Sequence, residues 1–166
     1  MKKYGTLVLF CGKMGAGKST KAAEISEKTG AILISEDEWL SRLYPGEINS
    51  LQDYIKYSPR LKSVIEKHVQ SILYCGVSVI MDFPGNTKQQ RSWLKGIFLN
   101  RPYHHQLIYL DADDDTCLKQ IAHRKNSQPE RTEIDTPSIF KQVTKYFEAP
   151  SADEGFNIET IKLTCT

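Results

Sequence analysis

The chain has 166 residues, of which 40% are hydrophobic and 25% charged, and a net charge of +2. That size and balance fit one globular domain with a sizeable core, and the charge is too near neutral to imply a non-specific nucleic-acid binder. No stretch approaches the ~18 apolar residues of a membrane span, and the apolar run in the opening MKKYGTLVLFCG stops too soon, in a charged glycine loop, to read as a signal sequence.

Residues 4–11, YGTLVLFC, are the nearly continuous apolar run of a central parallel strand covered on both faces. KSTKAAEISEKTG (18–30) predicts a helix with Ala22, Ala23 and Ile25 on its apolar side and Gly30 as C-cap. AILIS (31–35) reads as a second strand, and EDEWLSRLYPG (36–46) as a short helix closed by Pro45 and Gly46. A longer helix is expected to start with Ser58 as cap and Pro59 in its first turn. Leu61, Val64, Ile65, Val69, Ile72 and Leu73 recur at helical spacing before Gly76 ends it. VSVIMD (77–82) is a third strand, NTKQQRSWLKGIFLN (86–100) a helix and HHQLIYLD (104–111) a fourth strand. DADDDTCLKQIAHRKN (111–126) predicts a helix whose acidic start suits the helix dipole. A polar loop (127–137), a last helix (138–150) and a closing strand (155–163) complete the chain. Strands alternating with helices predict one three-layer α/β domain over residues 1–166, built on a mostly parallel sheet.

Gly12, Gly15, Gly17, Lys18 and Ser19 supply the G-x-x-x-x-G-K-[ST] pattern, the Walker A phosphate loop, between the first strand and the first helix. Glycines let the backbone N–H groups of Gly12 to Thr20, through Lys13, Met14, Gly15, Ala16 and Gly17, wrap a phosphate, and the helix start adds its dipole. Lys18 is expected to reach the β- and γ-phosphates of ATP, Ser19 to hold Mg²⁺ and Thr20 to contact phosphate, with the Lys13 side chain facing solvent. Cys11, Cys75, Cys117 and Cys165 lack CxxC or Cys/His spacing, as do His68, His104, His105 and His123. They suggest buried thiols in a reducing, cytoplasmic setting rather than a disulfide frame or zinc site.

Ligands of parallel α/β folds bind beyond the carboxyl ends of the strands. Asp82 ends the third strand, where it either helps hold Mg²⁺ or the acceptor, or caps the turn that follows. Asp37 lies just past the second strand, placed to accept a proton from an attacking hydroxyl or to hold that hydroxyl in line. Glu36 is its main competitor, Glu38 is adjacent, and any of the three also suits a helix cap. Asp111 is expected to cap the helix after the fourth strand. Arg124 and Arg131 are candidate cations for a transferred phosphoryl group, within a lid at about residues 124–137 that excludes water. Arg42 and Arg91 fit either an anionic acceptor or the surface.

GKMGAGKST, SEDEW, VIMDFPGNTKQQRSWL, IYLDADDDTCLKQIAHRKN and TKYFEAPSADEGFNI together resemble the small AAA-type kinases of bacteria. These are similar to polynucleotide 5′-hydroxyl kinase, chloramphenicol phosphotransferase and zeta-toxin kinases. The resemblance spans nearly the whole chain. It implies a P-loop NTPase fold with a five-stranded parallel sheet ordered 2-3-1-4-5, the phosphate loop at Gly12 to Thr20 and the catalytic aspartate at Asp37. It further implies Asp82 as strand-end aspartate and Arg124, with Arg131, as lid arginines. Polynucleotide kinase carries an arginine three residues past its catalytic aspartate, where Leu40 stands here. NTKQ at Asn86 lacks the aspartate of a guanine-specificity motif. The resulting expectation is an ATP- and Mg²⁺-dependent kinase acting on the hydroxyl of a small molecule. The alternatives are a non-catalytic ATP-binding regulatory protein and a polynucleotide 5′-hydroxyl kinase, the latter disfavoured by the lack of a basic track.

Overall fold

In the computed structural model, residues 2–127 and 134–164 are described. Five strands, β1 (Thr6–Cys11), β2 (Ile32–Ser35), β3 (Val79–Asp82), β4 (His104–Ala112) and β5 (Ile158–Leu163), make one parallel sheet. Their order is β2-β3-β1-β4-β5, as the resemblance implied. The helices between them are α1 (Lys18–Thr29), α2 (Glu36–Leu43), α3 (Leu51–Tyr74), α4 (Lys88–Phe98), α5 (Asp114–Ser127) and α6 (Pro137–Thr144), with a 3₁₀ turn at Ala152–Glu154.

β1 is the central strand, and its alternating side chains feed two cores. Leu7, Leu9 and Cys11 pack with Leu61, Ile65 and Val69 of α3 and Leu94 of α4 on one face. Val8 and Phe10 pack with Ala22 of α1, Cys117 and Ile121 of α5 and Phe140 of α6 on the other. This accounts for the unbroken apolar run of the first strand. Within the described residues, no helix is long and apolar enough to cross a membrane.

Three local expectations are corrected. α3 starts eight residues before Pro59, with Ser50 as its cap. The Ser50 hydroxyl accepts from Asp53 N (3.1 Å) and donates to the Asp53 carboxylate (2.7 Å). Pro59 therefore lies inside the helix, and the carbonyl of Ile55, which loses its intrahelical partner there, belongs to a residue 61% exposed, where water can take the bond. Ser58 is instead buried and donates to Glu36. Asp111 stays within β4 and accepts from Tyr109 (3.1 Å), while Asp113 caps α5 by accepting from Thr116 N (2.7 Å). Cys11 and Cys117 are buried free thiols but Cys75, just past the end of α3, is exposed; Cys165 lies outside the described residues.

Candidate active site

β1 brings the chain to Gly12 at the carboxyl edge of the sheet, and α1 begins six residues later. Gly17 caps α1 in the left-handed region (φ 94°), with no side-chain hydrogen bond to the helix start. The first-turn N–H groups thus keep their capacity for an anion. Gly15 (φ 79°) answers a second need: a Cβ there would stand 2.6 Å from the Cys117 carbonyl oxygen and 2.8 Å from Ile121, because α5 packs on the loop. Lys18 Nζ donates to the carbonyls of Gly12 and Lys13, which leaves one of its three N–H groups for a ligand. Burial pushes the Lys18 ammonium pKa down, opposed chiefly by the charge of Asp82.

The loop is held from behind by a residue that sequence reasoning missed. Asn86 Oδ1 accepts from Gly12 N (3.0 Å), and Gln90 Oε1 in turn accepts from Asn86 N (2.8 Å). Gly85 beside it lies so close to β1 that a Cβ would stand 2.4 Å from the Phe10 carbonyl oxygen. The string DFPGNT carried a signal in its glycine and asparagine, but their partner 74 positions away in the chain was not legible locally.

A cavity of about 260 Å³ opens over the loop, lined on one side by Met14, Gly15, Gly17, Lys18, Ser19 and Thr20. Glu36, Asp37, Asp82 and Arg124 line it from other elements. The strand register explains the convergence: Ser35 at the end of β2 pairs with Asp82 at the end of β3. Ser35 also caps α2 by accepting from Glu38 N (3.4 Å), so the first turn of α2 starts beside Asp82. Lys13 and Ala16 are not among the lining residues: Ala16 is buried in the core and Lys13 pairs with Asp114 (2.7 Å), 24% exposed rather than facing solvent. Gly12 is buried behind the cavity wall.

A second cavity, of about 770 Å³, lies on the α2–α3 side and shares Ser19 and Asp37 with the first. The two neighbouring carboxylates of α2 have different surroundings. Glu36 is 1% exposed and accepts from Tyr54 (2.7 Å) and Ser58 (2.6 Å), with Lys62 at 3.9 Å. Burial raises its pKa above the carboxylate range, against those hydrogen bonds and Lys62. Asp37, by contrast, lines both cavities.

Arg124 pairs with Asp135 through two hydrogen bonds of 2.6 and 2.7 Å, which aims its guanidinium from the end of α5 at the first cavity. Arg131 and residues 128–133 of the expected lid lie outside the described residues. Arg91, one of the candidate anion holders, is fully buried. It binds both carboxylate oxygens of Glu154 (2.7 and 2.9 Å) and the carbonyls of Gly85 (2.9 Å) and Glu148 (2.8 Å). The Arg91 hydrogen bonds hold the Glu154 carboxyl below its ordinary pKa range. Arg42 sits on the surface, 78% exposed, paired with Glu38 at 3.0 Å. Cys11, beneath the loop, is pushed up to about 11 by burial and stays a thiol at neutral pH.

Among the described residues no group of three or more His, Cys, Asp or Glu is arranged to hold a metal. Ser19 and Asp82 both line this cavity, and a hydroxyl and a carboxylate are donors that suit Mg²⁺ in its usual protein setting, where protein oxygens and substrate phosphates share the ion with water.

A family model described as an AAA domain matches residues 7–150. No curated protein matches the chain. Solved structures with similar folds include a sugar kinase from Janibacter sp. HTCC2649, with 19% identity, TM-score 0.63, and coverage of 95% of this chain and 85% of that one. The APS kinase CysC of Mycobacterium tuberculosis, in complex with AMPPNP and APS, has 17% identity, TM-score 0.63, and coverage of 98% and 90%. Kti12 of Chaetomium thermophilum, in complex with ADP-AlF3, has 17% identity, TM-score 0.66, and coverage of 95% and 88%. At these identities the likeness establishes the fold, that of a kinase-like P-loop protein.

Proposed function

We propose that this chain, which belongs to the AAA domain family, is a Mg²⁺-dependent kinase that transfers the γ-phosphoryl group of ATP to the hydroxyl of a small molecule. The observation that carries this reading is the position of Asp37, which lines both the cavity over the phosphate loop and the larger cavity beside it. A hydrolase needs room only for water, whereas a transferase needs a second chamber that meets the first at the reacting atoms.

In this reading the backbone of Gly12 to Thr20 and Lys18 bind the β- and γ-phosphates, and Arg124 and Ile134 of the expected lid line the two cavities. Mg²⁺, held by the Ser19 hydroxyl and on the side of Asp82, would neutralise charge on the phosphate oxygens. Asp37 orients the acceptor hydroxyl and takes its proton as the new O–P bond forms. The bond from the γ-phosphorus to the β–γ bridging oxygen breaks, and its electrons leave with ADP. The products are ADP, a phosphate monoester and the proton passed from Asp37 to solvent. Arg124, aligned by Asp135, stabilises the negative charge spread over the transferred oxygens.

The deciding experiment measures ADP release by the purified chain with ATP and Mg²⁺ across a panel of alcohols. Acceptor-dependent release is expected, and Asp37→Asn is expected to lower it by about 10²- to 10⁴-fold while ATP affinity holds. Tight ATP binding without stimulation by any acceptor would favour the non-catalytic regulatory protein, and turnover unchanged in Asp37→Asn would remove that residue from the mechanism.

A further inference from the structure

The second cavity differs from the first in chemistry as well as size. Its apolar wall comes from Leu40 and Tyr44 of the α2 region, Ile48 and Leu51 at the approach to α3, and Ile139 of α6. Its polar wall groups are mostly engaged within their own elements. Ser41 donates to the Glu38 carbonyl (2.8 Å), Asn49 Nδ2 to the Gly46 carbonyl (2.9 Å) and Ser50 to Asp53 (2.7 Å).

Among the described lining residues the charged ones are Asp37 and Glu38, both acidic, and there is no lysine, arginine or histidine. The cations nearby are committed elsewhere. Arg42 neutralises Glu38 from the solvent side (3.0 Å), and Lys62 sits near Glu36 (3.9 Å) and over the Trp93 ring (5.1 Å). An anion entering this space would lose water, meet no cation among the described lining residues and face the carboxylate of Asp37. Glu38 is already paired with Arg42, so the acidic group that a ligand meets inside is Asp37. Volume adds a bound, since about 770 Å³ lies within the range of pockets that enclose drug-sized organic molecules.

From this wall we infer that the acceptor is an alcohol that carries no negative charge and has an aromatic or branched apolar body, its hydroxyl presented to Asp37. The inference rests on the kinase reading above for the word acceptor. The chemistry of the cavity stands on its own lining, so the two are tested separately.

The probes are matched pairs that differ only in charge: 2-phenylpropane-1,3-diol against tropate, and 1-phenylethane-1,2-diol against mandelate. Binding to the full chain is measured by calorimetry with a non-hydrolysable ATP analogue and Mg²⁺, and phosphorylation separately with ATP by mass spectrometry. The neutral member of each pair is expected to bind at least about tenfold tighter. Ser41→Arg, which adds a cation at an exposed wall position, should narrow that ratio by raising carboxylate affinity. Neutral preference with ATP-dependent phosphate-ester formation supports both readings. Neutral preference without any phosphorylation upholds the cavity chemistry and overturns the kinase reading. Equal or tighter binding of the carboxylates, or binding of neither member of either pair, overturns the inference.

Discussion

In the proposed kinase, the donor and acceptor sides of the site are built by opposite strategies. On the donor side, ligand-binding capacity is a property of backbone: glycines at 15 and 17, a helix start without a side-chain cap, and one lysine. Loop, strand and helix are contiguous in sequence there, and the fixtures behind them, Asn86 and Gly85, act on main-chain atoms. On the acceptor side the capacity is a property of side chains drawn from α2, the approach to α3, and α6, where apolar groups alternate with polar ones mostly engaged within their own elements. Phosphate is a constant ligand whose charge and shape a backbone can match once. An acceptor is variable, and a wall of side chains around Asp37 can change without disturbing the cradle. The lesson is that the two halves should respond separately to substitution.

The sharpest break of that separation is Lys18→Ala. Nucleotide affinity and turnover should fall by about 10²- to 10³-fold, the scale for losing one preorganised charge donor, while 2-phenylpropane-1,3-diol binding in the second cavity should hold. Loss of both would mean the halves are coupled. Arg91→Met comes next. It removes a fully buried cation and strands Glu154, so stability should drop by about 3–5 kcal/mol, read by denaturant unfolding. In the protein that remains folded, nucleotide binding should suffer first, since Arg91 bonds the Gly85 carbonyl behind the phosphate loop.

Ser50→Ala sharpens the contrast from the acceptor side. Losing the α3 cap should cost about 1 kcal/mol, and KM should rise for the acceptor but not for ATP, because Ser50 lines only the second cavity of the two. The effect confined to a pH slope belongs to Glu36→Gln. The folded state raises the Glu36 pKa above the ordinary 4.5, so between those two values the folded chain holds a proton that the unfolded chain has released. Wild-type stability from this group is therefore fully present below pH 4.5 and is lost as pH rises through the folded pKa. Glu36→Gln should remove that slope, at most about 1.4 kcal/mol per pH unit, as measured by urea unfolding across pH. An unchanged pH profile would show that Tyr54, Ser58 and Lys62 fully compensate the burial.

Two arginines illustrate why side-chain roles were harder to read than the elements that carry them. In sequence, Arg91 and Arg124 are each one of several cations on a helix. The structure seals one between Glu154 and three carbonyls and sets the other at a cavity wall on Asp135. Both partners lie far along the chain or beyond a loop, so neither fate has a local signature. The segment EAPSADEGFN, conspicuous in the sequence, proves to supply that seal: Glu148 accepts from Lys88 N and Glu154 takes the Arg91 guanidinium.

What the sequence determined by itself was whatever depends on short-range pattern. The unbroken apolar run of β1, the glycine spacing of residues 12–17 and the strand–helix alternation suffice for a phosphate loop on a parallel sheet, because backbone conformation and burial periodicity are local. The start of α3 was missed because Ser58 and Pro59 make a plausible helix start, while a better cap, Ser50 with Asp53, lay eight residues upstream. Only the tertiary structure separated Asp37 from Glu36. Adjacent on one helix turn, they differ because Tyr54 and Ser58 of α3 bury one carboxylate, while the other is left at the junction of two cavities. Burial and hydrogen-bond partners are set by what packs against a residue from elsewhere in the chain, and that is where the chemistry of this site was decided.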